Sequence, residues 1–293
     1  MKRAIAIICS ALALFLSGVY LWPGPTPLAH IYFDTAPQDR AEIIAHGGGL
    51  GHAPPNTLIG LQRATDMGAD VLEVDLQQTG DGVMILRHDD TLDRTTDRTG
   101  LIADFDWGSL ATADAGARSV INGEHFAGQG IRIPTLHDAL RAFPNARWIM
   151  EIKNNTPAAA EATCADIKGA GMEQKVLIAS FHDESMAHFR TVCPNVATSM
   201  SSGEVRRFVI AARLGLTRFL RSPALALQIP AEADGIDLTH PRILAAAKAR
   251  GIRVQYWTIN EPSEMAALLE AGADGLMTDY VDRGFVALEA RDD

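Results

Sequence analysis

Glu73 and Asp75 stand two residues apart inside the otherwise apolar run VLEVDLQ. Alternate side chains of a strand share a face, so both carboxylates point one way, with Cα atoms roughly 7 Å apart by strand rise. The run RWIMEIK carries Glu151 and Lys153 with matching parity, and two further apolar runs end in histidines, His46 after EIIA and His88 after MILR. Carboxylates gathered in an interior repel one another and lose hydration, a conflict that a divalent cation resolves. All-oxygen donors suit Mg2+ or Ca2+ rather than zinc or copper, so Glu73, Asp75 and Glu151 are expected as metal ligands. Lys153 is placed to hold an anionic oxygen beside them. His46 and His88 titrate near neutrality and suit a general acid and general base pair.

These residues need a frame that gathers strand ends. The apolar run from Ile43 stops at His46 and a triple glycine, a turn where backbone can approach a ligand. Residues 57–68 have helical spacing, with Leu58, Leu61 and Ala64 on one face and Gly68 as the stop. From Pro134 onward helices and strands alternate regularly: helix 135–143, strand RWIMEIK, helix 157–171, strand VLIAS, helix 184–192, strand ATSM and helix 204–216. Either ALQIP or GIDLT is the sixth strand, followed by helix 241–250, strand VQYWT, helix 262–272 and strand GLMTD. Eight strand–helix units with reactive residues at strand C-termini predict an α/β fold of the (β/α)8 TIM-barrel type over residues 42–293. No Gly-rich dinucleotide turn supports an open doubly wound sheet instead. Trp257 ends a strand at the barrel mouth, and residues 92–132 read as a long excursion over it.

The chain resembles the glycerophosphodiester phosphodiesterase family. The resemblance rests on His46-Gly47-Gly48, Pro54-Pro55-Asn56-Thr57, Gly68-Ala69-Asp70, Glu73-Val74-Asp75, Thr79-Gly80-Asp81-Gly82 and His88-Asp89. It continues through Ile133-Pro134-Thr135-Leu136, Glu151-Ile152-Lys153, Trp257-Thr258-Ile259-Asn260 and the stretch from Asp274 to Asp279. Gly47 stands where the family has arginine, and Pro55 where it has glutamate. The resemblance implies a TIM barrel and metal-dependent hydrolysis of a glycerophosphodiester or lysophospholipid. It implies a metal at Glu73, Asp75 and Glu151, proton transfer by His46 and His88, and a substrate pocket walled by Trp257. The stretch Leu227-Gln228-Ile229-Pro230 resembles the lysophospholipase D branch. A catalytically weak phosphodiester- or lipid-binding protein on the same fold is the alternative, because Gly47 removes a phosphate-gripping side chain. His52 has no family counterpart but lies within reach of phosphate; His125, His137, His182, His188 and His240 read as loop or surface residues.

A net charge of -10 argues against a nucleic-acid partner, which needs a basic face. Lys2 and Arg3 precede an uncharged stretch, residues 4–22, that Pro23-Gly24-Pro25 closes. Its length suits a membrane span of about 20 residues, and no clean small-x-small cleavage site follows. Residues 1–25 are therefore expected to be an anchor rather than a cleaved signal, and 26–41 a linker. The basic residues before the span put the domain outside the cytoplasm, periplasmic or at the cell surface; cleavage would make it secreted. Cys164 and Cys193 are expected as separate buried thiols on successive helices. Residues 204–221, drawn as one helix, make an apolar stripe flanked by arginines that suits a lipid surface.

Overall fold

The computed structural model describes Thr26 and residues 29–292; the N-terminal stretch expected to be an anchor lies outside the described residues. Among the described residues no helix is long and apolar enough to cross a membrane. The strand–helix units are β1 (Glu42–Ala45), α1 (Leu58–Asp66), β2 (Val71–Gln78), α2 (Leu136–Ala142), β3 (Trp148–Ile152), α3 (Pro157–Gly169), β4 (Val176–Ala179) and α4 (Asp183–Val192). They continue as β5 (Ala197–Thr198), α5 (Ser202–Leu214), β6 (Ala226–Ile229), α6 (Pro241–Lys248), β7 (Arg253–Tyr256), α7 (Pro262–Ala271), β8 (Gly275–Thr278) and α8 (Val281–Asp292). The strands pair in parallel in the order β5-β4-β3-β2-β1-β8-β7-β6. A single parallel bridge, Ser199 with Ala226, closes the ring. The expected TIM barrel is present. ALQI is its sixth strand, whereas Ile236–Asp237 belongs to a short hairpin with Glu232–Ala233.

Local chemistry starts the helices. Thr57, Thr135 and Thr156 accept from the backbone N–H of Gly60, Asp138 and Ala159, and Pro157, Pro241 and Pro262 open the first turn of their helices. Strand parity then makes two cores. Leu72, Val74 and Leu76 of β2, with Trp148, Met150 and Ile152 of β3, face outward onto the helices. Ile44, Val71, Ile149, Leu177 and Met277 face inward. Continuing that inward parity toward the C-terminal ends reaches His46, Glu73, Asp75, Glu151, Lys153 and Asp279. The barrel lumen thus has an apolar middle layer, a buried Glu42–Arg147 pair with Gln255 below it, and an ionisable cluster at its mouth.

Three sequence expectations change on the structure. The stretch expected as a polar linker supplies the base plug: the 3-10 turn Ile31–Phe33 seats a fully buried Tyr32 among the inward side chains. Arg147 locks it, donating Nε to the Tyr32 carbonyl at 3.1 Å, pairing with Glu42 and lying 4.4 Å from the Tyr32 ring centroid. Cys164 and Cys193 are not separate thiols but a disulfide, with Cα atoms 5.8 Å apart. The reason is the offset of α3 against α4: Glu161 meets His188 at 3.0 Å and Lys168 reaches the Val192 carbonyl at 3.0 Å, so mid-helix Cys164 lies beside the end of α4. Finally, residues 204–221 are not one helix. Gly215 at φ 71 caps α5, and a separate 3-10 turn follows at Thr217–Phe219.

Residues 92–132 fold around their own small core of Leu92, Ile102, Leu110, Ala113 and Ala115 with Ile85 and Ile133. Their hairpin, Val120–Ile121 with Glu124–His125, is pinned to α1 by a two-pronged Arg63–Glu124 pair at 2.8 and 2.9 Å. The excursion therefore braces the barrel wall beside the mouth.

Candidate active site

Strand β2 is long enough to serve twice. Its first part pairs with β1 and β3 in the barrel, and its end pairs antiparallel with Met84–Leu86. That return strand doubles back toward the barrel, and the Arg87 N–H donates to the Asp75 carbonyl at 2.8 Å. His88 is thereby brought down to the carboxylates of the mouth. Asp75 and Glu151 are register partners across β2 and β3, so their side chains are neighbours on adjacent inward positions.

The cluster is buried and heavily hydrogen-bonded. Glu73 accepts from the Gly47 N–H at 2.7 Å. Asp75 accepts from Asn56 Nδ2 at 2.9 Å and from Lys153 Nζ at 2.9 Å, and Lys153 also donates to Glu151 at 2.8 Å. Burial first, and then the Asp75 charge, push the Glu73 carboxyl well above the usual carboxylate range. Burial also raises Glu151, with Lys153 opposing it. For Lys153 itself burial disfavours the ammonium, yet Asp75 and Glu151 outweigh burial and raise its pKa. Among the described residues no group of three or more metal-ligating side chains stands close enough to grip an ion in this arrangement, because Lys153 lies between Asp75 and Glu151. The donor set nevertheless fits a hard divalent cation: all oxygen, buried, and carrying a carboxyl whose pKa burial and the Asp75 charge raise.

Each histidine has a carboxylate behind it. His46 Nδ1 lies 2.7 Å from Asp279, whose other oxygen accepts from Asn260 Nδ2 at 2.8 Å. Burial opposes the imidazolium, but the Asp279 hydrogen bond and the Glu73 and Asp75 charges prevail and lift His46 to about 9. His88 Nδ1 lies 2.8 Å from Asp89, which Arg94 grips with two bonds of 2.6 and 2.9 Å. The His46 side chain is 23% exposed and that of His88 52%, so the second faces more water. The two histidines address different members of one cluster: Glu73 and Asp75 act on His46, and His88 lowers Glu151. Trp257 is half-buried and packs edge-on against the exposed Phe181, with ring centroids 5.8 Å apart.

This constellation coincides with a family comparison. Residues 46–283 match the model of the glycerophosphoryl diester phosphodiesterase family. The chain belongs to that family. It is 31% identical over 244 residues to the glycerophosphodiester phosphodiesterase of Caldanaerobacter subterraneus subsp. tengcongensis, covering 81% of this chain and 93% of that one. The fold matches the glycerophosphoryl diester phosphodiesterase domain of a Mycobacterium tuberculosis protein, at a TM-score of 0.75, 17% identity, 86% of this chain and 100% of that one. It also matches a phosphodiesterase of Oleispira antarctica solved with the product sn-glycerol-3-phosphate, at a TM-score of 0.68, 26% identity, 85% of this chain and 97% of that one.

Four residues of this site were not singled out from sequence: Asn56, Asp89, Asn260 and Asp279. All lie inside the motif runs, at Pro-Pro-Asn, His-Asp, Thr-Ile-Asn and Thr-Asp, and their chemistry is orientation rather than reaction. Asn56, at φ 57, bonds Asp75 through both its amide oxygen and its nitrogen. His52, expected within reach of phosphate, instead pairs with Asp282 at 2.9 Å and packs edge-on to Tyr280. At Gly47 the space a side chain would enter is taken by Leu50. Arg87 cannot replace the missing arginine, since it is buried and bonded to Thr95 and the Thr91 carbonyl.

Proposed function

We propose that this chain hydrolyses glycerophosphodiesters by two-histidine acid–base catalysis assisted by a divalent cation. The observation that carries the reading is the pair of His–Asp couples flanking one buried carboxylate cluster at the barrel mouth. Bound by Glu73, Asp75 and Glu151, Mg2+ or Ca2+ would supply positive charge for a phosphoryl oxygen and acidify the glycerol 2-hydroxyl. Lys153 holds a second phosphoryl oxygen from the rim of the cluster. One histidine takes the proton of the 2-hydroxyl as its oxygen bonds to phosphorus. The other protonates the departing alcohol oxygen as its bond to phosphorus breaks. Water then opens the cyclic phosphate with the two histidines exchanging roles, leaving glycerol phosphate. Asp279 and Asp89 keep each imidazole in one orientation, as a carboxylate behind a catalytic histidine does elsewhere. The Oleispira antarctica relative, solved with the product sn-glycerol-3-phosphate, supports a glycerol phosphate as the product.

Lysophospholipids fit the same chemistry, and the aromatic pair Phe181–Trp257 favours them by offering apolar surface next to the site. A lysophospholipase D reaction would release lysophosphatidic acid. The competing reading, a phosphodiester- or lipid-binding protein with weak catalysis, rests on Gly47 and the Leu50 side chain packed over it. The Cys164–Cys193 disulfide supports an oxidising, extracytoplasmic location. Assay of the purified protein on glycerophosphocholine and lysophosphatidylcholine, with and without EDTA, decides among these. Metal-dependent release of choline from either supports catalysis, and its absence from both supports binding alone.

A further inference from the structure

Ile210, Leu214, Leu216 and Phe219 are 55%, 65%, 43% and 46% exposed, within ten residues of one another. Scattered exposed apolar residues are ordinary on any surface; a local group of four is not. Ile210 and Leu214 sit one turn apart on a single face of α5, and the other two follow Gly215. The chain from 205 to 221 also carries five arginines and no acid, in a protein of net charge -10. Arg221 is exposed beside Phe219, whereas the exposed Arg206 and Arg207 lie in the upper turns of α5, near Asp183 in the first turn of α4.

The patch lies at the base of the barrel, remote from the reacting groups. Helix α5 starts at the mouth end of β5 and descends, so Leu214 is near its lower end. Arg250, in the short turn between α6 and the start of β7, donates to the carbonyls of Thr217 and Leu220 at 2.7 and 2.9 Å, which fixes the 3-10 turn to the same end. The chain enters the barrel there too. Tyr32 plugs the base, and His30 Nε2 lies 3.1 Å from the carbonyl of Asn195, in the turn that leads up into β5.

We propose that the base of the barrel, through Ile210, Leu214, Leu216, Phe219 and Arg221, docks on the headgroup layer of an anionic phospholipid bilayer, with the active-site mouth turned away from it. Apolar side chains beside an exposed arginine suit an acidic headgroup layer, where a cation adds to the attraction. The uncharged stretch 4–22 reaches the barrel through residues 23–29, a connection of at most about 28 Å when fully extended. With that stretch in a bilayer, the base is held at a local concentration in the millimolar range, so a patch too weak to bind alone is enough. The mouth then opens to the aqueous side, and the diester arrives from solution, as a soluble glycerophosphodiester or a monomeric lysolipid. This orientation does not depend on the catalytic reading, because it concerns only the outer surface.

The test uses the full chain reconstituted in phosphatidylcholine–phosphatidylglycerol vesicles, with Cys9→Ser to free the background of reactive thiols. An environment-sensitive NBD dye is attached at Leu214→Cys in one protein and at Glu184→Cys, exposed in the first turn of α4 at the mouth, in another. Each is challenged with lipid carrying a doxyl quencher. The proposal expects loss of most fluorescence at position 214 and none at 184. It also expects weaker quenching at 214 when phosphatidylglycerol is omitted, or after Arg221→Glu. Quenching at 184, no quenching at 214, or indifference of position 214 to both lipid charge and Arg221→Glu would overturn it. So would concentration-dependent self-association that shields the dye at 214 without lipid. Near-wild-type hydrolysis of glycerophosphocholine by both labelled proteins shows that they are folded; a chain inactive on every diester still reports its orientation by quenching.

Discussion

Breaking the Cys164–Cys193 bridge is the perturbation whose cost follows most simply from the fold. The bridge closes a segment with a sequence separation of 29 that contains the end of α3, all of β4 and all of α4. Releasing a loop of that size restores chain entropy to the unfolded state worth about 3.5 kcal/mol at 25 °C. The native state gives up little in return, since the helices remain joined by the Lys168 bond to Val192 and the His188–Glu161 pair. Urea unfolding followed by tryptophan fluorescence, with and without dithiothreitol, reads this directly, and Cys164→Ser with Cys193→Ser reads it without reductant. Both should lower the unfolding midpoint with the barrel intact in the far-ultraviolet spectrum. A thiol titration in denaturant without reductant supplies the refutation. It should find Cys9 alone, and a titre of all three cysteines, or stability indifferent to dithiothreitol, would show that the bridge is not formed.

His46→Ala and His88→Ala should each lower kcat about 100-fold or more with KM little changed, read from steady-state kinetics; a normal kcat with a raised KM would make that histidine a phosphate grip. Asp279→Asn should lower kcat in the same assay and move the pH limb belonging to His46 to lower pH, because Asp279 is among the groups that hold His46 up at about 9. Glu204→Gln should cost about 2 kcal/mol at neutral pH by leaving Arg190 without its charged partner. Although burial opposes it, Arg190 holds the Glu204 carboxyl below its ordinary value, so this stability is present above the unfolded carboxylate pKa and is lost as pH falls through the folded one. Urea midpoints measured down the acid limb should therefore converge for wild type and variant.

The barrel and the reacting groups were legible because both follow from period. Two-residue parity alone aligned Glu73 with Asp75 and Glu151 with Lys153, and the structure places all four on inward positions. What escaped were relations between elements distant in sequence. Cys164 and Cys193 meet only because neighbouring helices are offset, which no spacing within either helix reveals. Tyr32 is buried only because the barrel has an open base to fill. The orienting partners Asn56, Asp89, Asn260 and Asp279 sit inside the matched motifs without a signal of their own, since an amide or carboxylate that aims another side chain has no periodic signature. The break at Gly215 is half legible: the strand–helix alternation stops the helix at 216, within two residues of its end, whereas the arginine pattern beyond it suggests a continuation to 221.

If the carboxylate cluster at the barrel mouth runs phosphodiester hydrolysis, Glu73 is indispensable to it. Phosphorus NMR of glycerophosphocholine incubated with wild type and with Glu73→Gln, each in buffer containing a divalent cation, shows whether it is. The wild type should convert the diester signal to glycerol phosphate, and Glu73→Gln, folded as judged by circular dichroism, should leave it untouched. Turnover by Glu73→Gln at the wild-type rate would show that the cluster does not run the reaction.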